Sequence, residues 1–243
     1  RLLESSSSLA GDDEVLSLVE RLIPAGRPGI VAVDAPLAVP NHEGGRRCDR
    51  EVASVFGRFQ AGPYPANRKN LSRYGGLRAE TIRKHLQSAR YHHSPHIERL
   101  ADTRQVTEVF PHPATISLFG LNTTLKYKAR QGRSYELRWG ELVRLREHLA
   151  GLRLADPPLH LPAELAQMQI EGKRGKHLKA VEDRLDAVVC AYTALYAWHH
   201  GPRGYAAYGR GALVDDPEAD HILVPMTPNA WERIKGVRLL LLD

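Results

Sequence analysis

Residues 177–199 carry the strongest helical signal in the chain and constrain its fold most. Leu178, Val181, Leu185, Val188, Val189, Tyr192, Leu195 and Tyr196 recur at helical spacing as one apolar stripe. Ala187, Cys190, Ala194 and Ala197 keep the other side small. With so few polar positions after Asp186, this helix must be covered nearly all round, and its small residues let a sheet approach closely. The pattern predicts a central helix laid against a sheet.

The sheet is legible upstream. Gly29-Ile30-Val31-Ala32-Val33-Asp34-Ala35-Pro36 is a continuous β-branched apolar run bounded by glycine and proline, the signature of a strand buried on both faces. Asp34 stands at its end. Residues 105–110 predict a second strand with Glu108 inside it and Pro111-His112-Pro113 as its stop. Helices are predicted over 13–23, near 49–59 and 78–91, and over 135–152, where Leu137, Leu142, Val143, Leu145 and Leu149 face inward. Residues 155–162 read as a proline-rich loop. Residues 204–211 read as a flexible loop lacking the Lys-Ser/Thr of a phosphate-binding loop. A strand at 221–225, then a helix and a strand after Asn229, close the chain.

Composition narrows the class. The 243 residues suffice for one domain, 1–243, carrying residues 40–104 as a basic insertion or cap. Hydrophobic residues at 42% and charged residues at 26% exclude a disordered chain. No apolar run nears the roughly 20 residues of a membrane span, so a soluble protein is expected. Two cysteines, Cys48 and Cys190, are too few for a zinc ribbon or disulfide framework and point to a reducing cytoplasm. The start, Arg1-Leu2-Leu3-Glu4 and four serines, has neither initiator methionine nor signal-peptide pattern, so residues upstream of Arg1 are expected.

The chemistry is suggested by carboxylates. An ionised group in an apolar strand costs several kcal/mol unless it is paired or metal-bound, and both Asp34 and Glu108 occupy such positions. On the long helix, Asp183 and Asp186 project within roughly 60° of each other, at the margin of the apolar stripe. They pair with Lys179 or another cation, or they join the strand acids. Carboxylates about 4 Å apart repel by roughly 4 kcal/mol at an effective dielectric near 20. Such a cluster recruits a cation, and Mg²⁺ or Mn²⁺ suits oxygen ligands.

The segments Val31-Ala32-Val33-Asp34-Ala35-Pro36-Leu37, Gly45-Arg46-Arg47-Cys48-Asp49, Glu108-Val109-Phe110-Pro111-His112-Pro113-Ala114 and Glu182-Asp183-Arg184-Leu185-Asp186-Ala187 closely resemble, in order, domain-of-unknown-function family four hundred and twenty-nine. That family is regarded as RNase H-like nucleases. The Asp-x-x-Asp-Ala helix also resembles the closing helix of Holliday-junction resolvases. The resemblance implies an α/β fold: an RNase H-like mixed sheet of three antiparallel strands extended by two parallel ones, with helices on both faces and a basic helical insertion. It places Asp34 on the fourth strand, Glu108 on or near the fifth, and Asp183 or Asp186 on the final helix as catalytic metal ligands. One departure matters. The fold carries an Asp on its first strand, and none precedes Asp34, because Asp12 and Asp13 sit in a polar turn. Arg1-Leu2-Leu3-Glu4 is expected to end the third strand, with the first hairpin removed or absent.

The expected function is metal-dependent hydrolysis of nucleic-acid phosphodiesters, with a catalytically inactive nucleic-acid-binding protein or a nucleotide phosphatase as alternatives. The net charge of +6 is unevenly spread. Residues 46–104 hold thirteen Lys or Arg against five Asp or Glu, an excess of eight that leaves the remainder slightly acidic. Arg46, Arg47, Asn67, Arg68 and Lys69, interleaved with Phe56, Phe59, Tyr64 and Tyr74, are the expected substrate-binding residues. Local pairing of these arginines with Asp49 or Glu51 is the competing reading. His92, His93 and His96 read as a surface loop in preference to a metal site, and His112 as a turn residue near a catalytic acid.

Overall fold

The computed structural model describes residues 2–6, 11–74, 76–214 and 216–234. The chain opens with helix α1 (Asp12–Leu22) and strand β1 (Gly29–Val33). Helices α2 (Arg47–Phe56), α3 (Arg68–Leu71) and α4 (Arg78–Ser88) precede the short strand β2 (His92–His93) and strand β3 (Arg104–Glu108). Next come α5 (Pro111–Phe119), α6 (Tyr135–Gly151), α7 (Ala163–Ala166) and the 26-residue α8 (Gly175–His200). Strands β4 (Tyr205–Tyr208) and β5 (Ile222–Pro225) and helix α9 (Pro228–Arg233) follow, and the strand expected after α9 lies outside the described residues.

The protein is a mixed α/β structure. One sheet has the order β1-β3-β2, all parallel, with Val33 in register with Glu108. A separate antiparallel pair, β4-β5, is tied to it by a single parallel bridge between Val109 and Leu223. Among the described residues there is no three-stranded antiparallel unit of the kind the resemblance implied. Leu2–Ser6 carries no strand. Leu2 N–H instead donates to His160 O at 3.1 Å, and Asp12 and Asp13 form the first turn of α1, where acids suit the helix dipole.

Among the described residues β1 pairs with β3 alone, and its five residues are half-buried, not covered on both faces. Helix α8 packs against it. Leu178, Val181, Leu185, Val188, Val189, Tyr192 and Tyr196 are buried as the stripe predicts, and Leu195 is half-buried. Ala187 and Ala191, however, are exposed, so the helix is not covered all round. On α6, Leu142, Leu145 and Leu149 are fully buried against α8, whereas Leu137 is exposed. Each buried leucine contributes roughly 1.5–3 kcal/mol through area removed from water.

Three stretches carry more structure than their local signals indicate. Pro111-His112-Pro113 does stop β3, but it also starts α5, because proline at the first helical position costs no hydrogen bond. Gly120, at φ 64, then closes that helix. Residues 204–211 are not a loop. Tyr205–Tyr208 is a strand, and Gly209 at φ 108 passes so close to Asp220 O and Cys48 Cβ that an added Cβ would lie 2.5 and 2.7 Å from them. Within residues 40–104, α2 places Cys48, Val52, Val55 and Phe56 in the main core and β2 completes the parallel sheet, so this stretch is woven into the body.

Candidate carboxylate site

The parallel register sets the site. Asp34 follows Val33 immediately, and Val33 lies opposite Glu108, so both acids stand at the carboxyl ends of adjacent parallel strands. Ligands of open parallel sheets bind at this end, because the crevice there is not closed by connecting turns. Helix α8, packed on β1, brings Asp186 to the same end. Asp34 presents an open face to solvent, and its side chain meets no hydrogen-bond or ion-pair partner among the described residues. The protein around its base, then the charges of Asp186 and Glu108, push its carboxyl up to about 7 against the lowering pull of Lys128 and Lys179.

Glu108 is gathered with Asp34 but differently employed. Arg46 Nη1 and Nη2 donate to its two oxygens, each at 2.7 Å, and Leu37 N–H donates to Oε2 at 2.9 Å. The remaining Arg46 donors reach Ala38 O at 3.2 Å and both oxygens of Asp49, so every guanidinium N–H is used. Arg46, Asp49 and Glu108 are all buried. Burial opposes the charge on Arg46, and Glu108 and Asp49 override it, holding the guanidinium ionised.

Asp186 is buried too. Tyr127 Oη donates to its Oδ1 at 2.7 Å, and Lys128 Nζ donates to Oδ2. Burial raises the Asp186 carboxyl, and Lys128 and Tyr127 oppose that rise. Its partner on α8 is Glu182, not Asp183. Glu182 is buried and lies 3.2 Å from both Lys128 and Lys179, while its Oε2 accepts no hydrogen bond among the described residues and has Arg138 Nη2 at 3.7 Å. Asp183 is exposed and meets Lys179. The helical arithmetic explains this: positions four apart diverge by about 40° and three apart by about 60°, so Glu182 shares the inward face with Asp186.

His112 lies on α5, half-buried, with Nδ1 2.9 Å from Thr124 Oγ1 and its ring 5.5 Å from that of Tyr127. Burial, then Lys128, Arg133 and Lys126, push it down to about 3, so it is neutral. Sequence reasoning missed Tyr127, Lys128 and Glu182. The alternation Lys126-Tyr127-Lys128 just upstream of a helix was the available signal for the first two.

The expected substrate-binding residues are internally occupied. Arg46 is buried as described, Arg47 meets Glu51 at 2.6 Å, Arg68 meets Glu80 at 3.2 Å, and Lys69 meets Glu43 at 2.7 Å. Asn67 is buried, accepting from Asn70 N–H and donating to Gly44 O, each at 2.8 Å. Of the upstream histidines, His93 is buried, stacks on His221 at 4.4 Å and has Nδ1 2.7 Å from Pro217 O, while His92 is exposed.

Two other features lie elsewhere. Asp156, His199 and His200 place one ligand atom each within 4.8 Å of one another. They sit at the far end of α8, about 20 Å along its axis from Asp186. An apolar groove of about 290 Å³, lined by Ile30, Ala191, Leu195 and Trp198, lies at the amino end of β1, away from the carboxylates. Among the described residues no helix is long and apolar enough to cross a membrane.

The geometry defines an α/β protein with an anionic cluster at the carboxyl ends of two parallel strands. The family described as Protein of unknown function (DUF429) matches residues 8–208, and the chain belongs to that family. No curated protein and no solved structure matches it.

Proposed function

We propose that the protein is a divalent-metal-dependent nuclease of RNase H-like type, with Asp34 and Asp186 holding Mg²⁺ or Mn²⁺ beside a phosphodiester. The observation that carries this reading is Asp34: an open carboxyl with no hydrogen-bond or ion-pair partner among the described residues, at the carboxyl end of a parallel strand, inside the field of two further acids. A group in that position favours any cation that replaces its proton. Asp186 supplies the second carboxylate, and Glu182, whose Oε2 accepts no hydrogen bond among the described residues and has Arg138 Nη2 at 3.7 Å, lies on the same face. Glu108 does not fit as a ligand, because Arg46 and Leu37 already hold it. Its role in this reading is to add negative field and to fix the end of β3. Asp183, exposed and paired with Lys179, fits no better.

When bound, such an ion supplies an activated water and stabilises the leaving oxygen of an in-line displacement. The chain's own residues set the conditions. Tyr127 and Lys128 orient Asp186, and the neutral His112 behind Tyr127 adds no charge. The two free, buried cysteines support a reducing, cytoplasmic setting.

A second reading, nucleic-acid binding without hydrolysis, is favoured by the internal cations Arg46 and Lys128, which already neutralise two of the three acids. End-labelled DNA and RNA, incubated with Mn²⁺ or Mg²⁺ and wild-type or Asp34→Asn protein, separates the two. Cleavage that disappears in Asp34→Asn supports the nuclease; binding without cleavage supports the second reading. Release of inorganic phosphate from mononucleotides would instead identify a phosphatase.

A further inference from the structure

We propose that residues 126–133, with Arg174 beside them, form the surface on which the phosphate backbone of a nucleic acid lies as it enters the Asp34–Asp186 site. The proposal rests on the phosphodiester reading of that site and relocates the substrate contact away from residues 46–104.

Charge pairing is the first ground. Among the thirteen cations of residues 46–104, the expected contacts Arg46, Arg47, Arg68 and Lys69, with Arg78 and Arg83, meet the carboxylates of Glu108, Glu51, Glu80, Glu43, Asp12 and Glu218 respectively. An arginine so matched projects little field outward. Residues 126–133, Lys-Tyr-Lys-Ala-Arg-Gln-Gly-Arg, contain four cations and no acid. Among the described residues only Lys128 of the four reaches a carboxylate. The Arg130 side chain is exposed and meets no hydrogen-bond or ion-pair partner among the described residues, Arg133 spends one donor on Lys128 O at 2.9 Å, and Lys126 Nζ reaches the neutral Gln60 Oε1.

Preorganisation is the second ground. Arg133 N–H donates to Arg130 O at 3.1 Å, with Gly132 at φ 81, which folds the segment into a turn. Arg138 Nε holds Tyr127 O at 2.9 Å, and Glu141 Oε2 accepts Lys126 N–H at 2.8 Å. Across the Tyr135 ring, Arg138 and Arg174 approach at 5.5 and 5.2 Å, which places the exposed Arg174 beside the turn. The backbone is therefore fixed while the cationic tips stay open.

Position is the third ground. Lys128, in the middle of the segment, is the residue that donates to Asp186. A backbone neutralised by Arg130, Arg133 and Arg174 on one side thus meets the carboxylates one residue away. Burial first, and then neighbouring positive charge, shift Lys126 and His112 toward neutrality, the direction in which mutual repulsion of these cations acts. A polyanion relieves that repulsion, and its released counterions make binding salt-dependent.

The test uses full-length protein carrying Asp34→Asn, so that cleavage cannot interfere, and fluorescence anisotropy with labelled 20-mers of duplex DNA, single-stranded DNA and RNA between 50 and 200 mM salt, conditions set on the order of those that resolve counterion release. Adding Arg130→Gln and Arg174→Gln, neither of which removes a hydrogen bond to the fold, should weaken binding at least about tenfold. It should also lower the log–log salt slope by about 1.4 to 1.8 for the two lost contacts. Adding Arg47→Gln and Lys69→Gln instead should change affinity less than about twofold. Equal losses in the two sets, a greater loss in the second, or no binding to any of the three probes overturns the proposal. Mn²⁺ binding to the wild-type protein is read separately, so loss of this surface and loss of the metal site are distinguishable.

Discussion

The Arg46 guanidinium grips the Glu108 carboxylate through two hydrogen bonds of 2.7 Å in a buried environment, across 62 residues of sequence. That pair anchors the end of β3 to the start of α2 and occupies both oxygens of Glu108. Arg46→Met leaves Glu108 and Asp49 buried without a counter-charge and should cost about 3–5 kcal/mol, read as a lower urea midpoint at unchanged slope. Adding Glu108→Gln should recover part of the loss. A single variant as stable as the wild type would show that the network does not hold the fold.

Lys128 has the complementary position at Asp186. Removing it as Lys128→Met should destabilise by about 2 kcal/mol, since a charge-assisted hydrogen bond to a buried acid is lost. Mn²⁺ should restore stability more in this variant than in the wild type, because the ion replaces the missing ammonium. Thermal melts with and without the metal give both quantities. Equal metal responses would contradict a shared site.

Two groups give opposite pH signatures. His112 is held down to about 3 from an ordinary 6.5, so between those values the unfolded chain binds a proton that the native state does not. Stability falls there as pH falls, by up to about 1.4 kcal/mol per pH unit. His112→Gln should flatten that acid limb in melts between pH 4 and 6.5.

Asp34 runs the other way. Its carboxyl is raised from 3.8 to about 7, so its contribution is fully present below the lower value and is lost as pH rises through the upper one. Asp34→Asn should therefore raise the melting temperature more at alkaline than at mildly acidic pH. An identical gain at both would remove Asp34 from the crowded anionic field.

Much of the site was legible in sequence, because a carboxylate at the end of an apolar strand needs a reason. Asp34 and Glu108 do lie on adjacent parallel strands, and Asp186 joins them from the predicted helix. What stayed hidden was long-range pairing. Nothing local marks Arg46 as the partner of Glu108, so its stretch read as an open cationic surface. Choosing Asp183 over Glu182 put a three-residue spacing ahead of a four-residue one, although the apolar stripe through Leu178 and Leu185 marks the inward face. The four cations of residues 126–133 escaped notice because the region as a whole contains balancing acids. β4 was missed because glycines flank its Tyr-Ala-Ala-Tyr core, and burial, not local propensity, makes it a strand.

The most direct measurement of the central claim is calorimetric titration of Mn²⁺ into wild-type and Asp34→Asn protein near pH 7, repeated in buffers of different ionisation enthalpy. Wild-type protein should bind the ion with release of up to about one proton, the one that Asp34 gives up, and Asp34→Asn should lose both the binding and the release. Indistinguishable isotherms for the two proteins, or no binding to the wild type, would contradict a metal site built on Asp34.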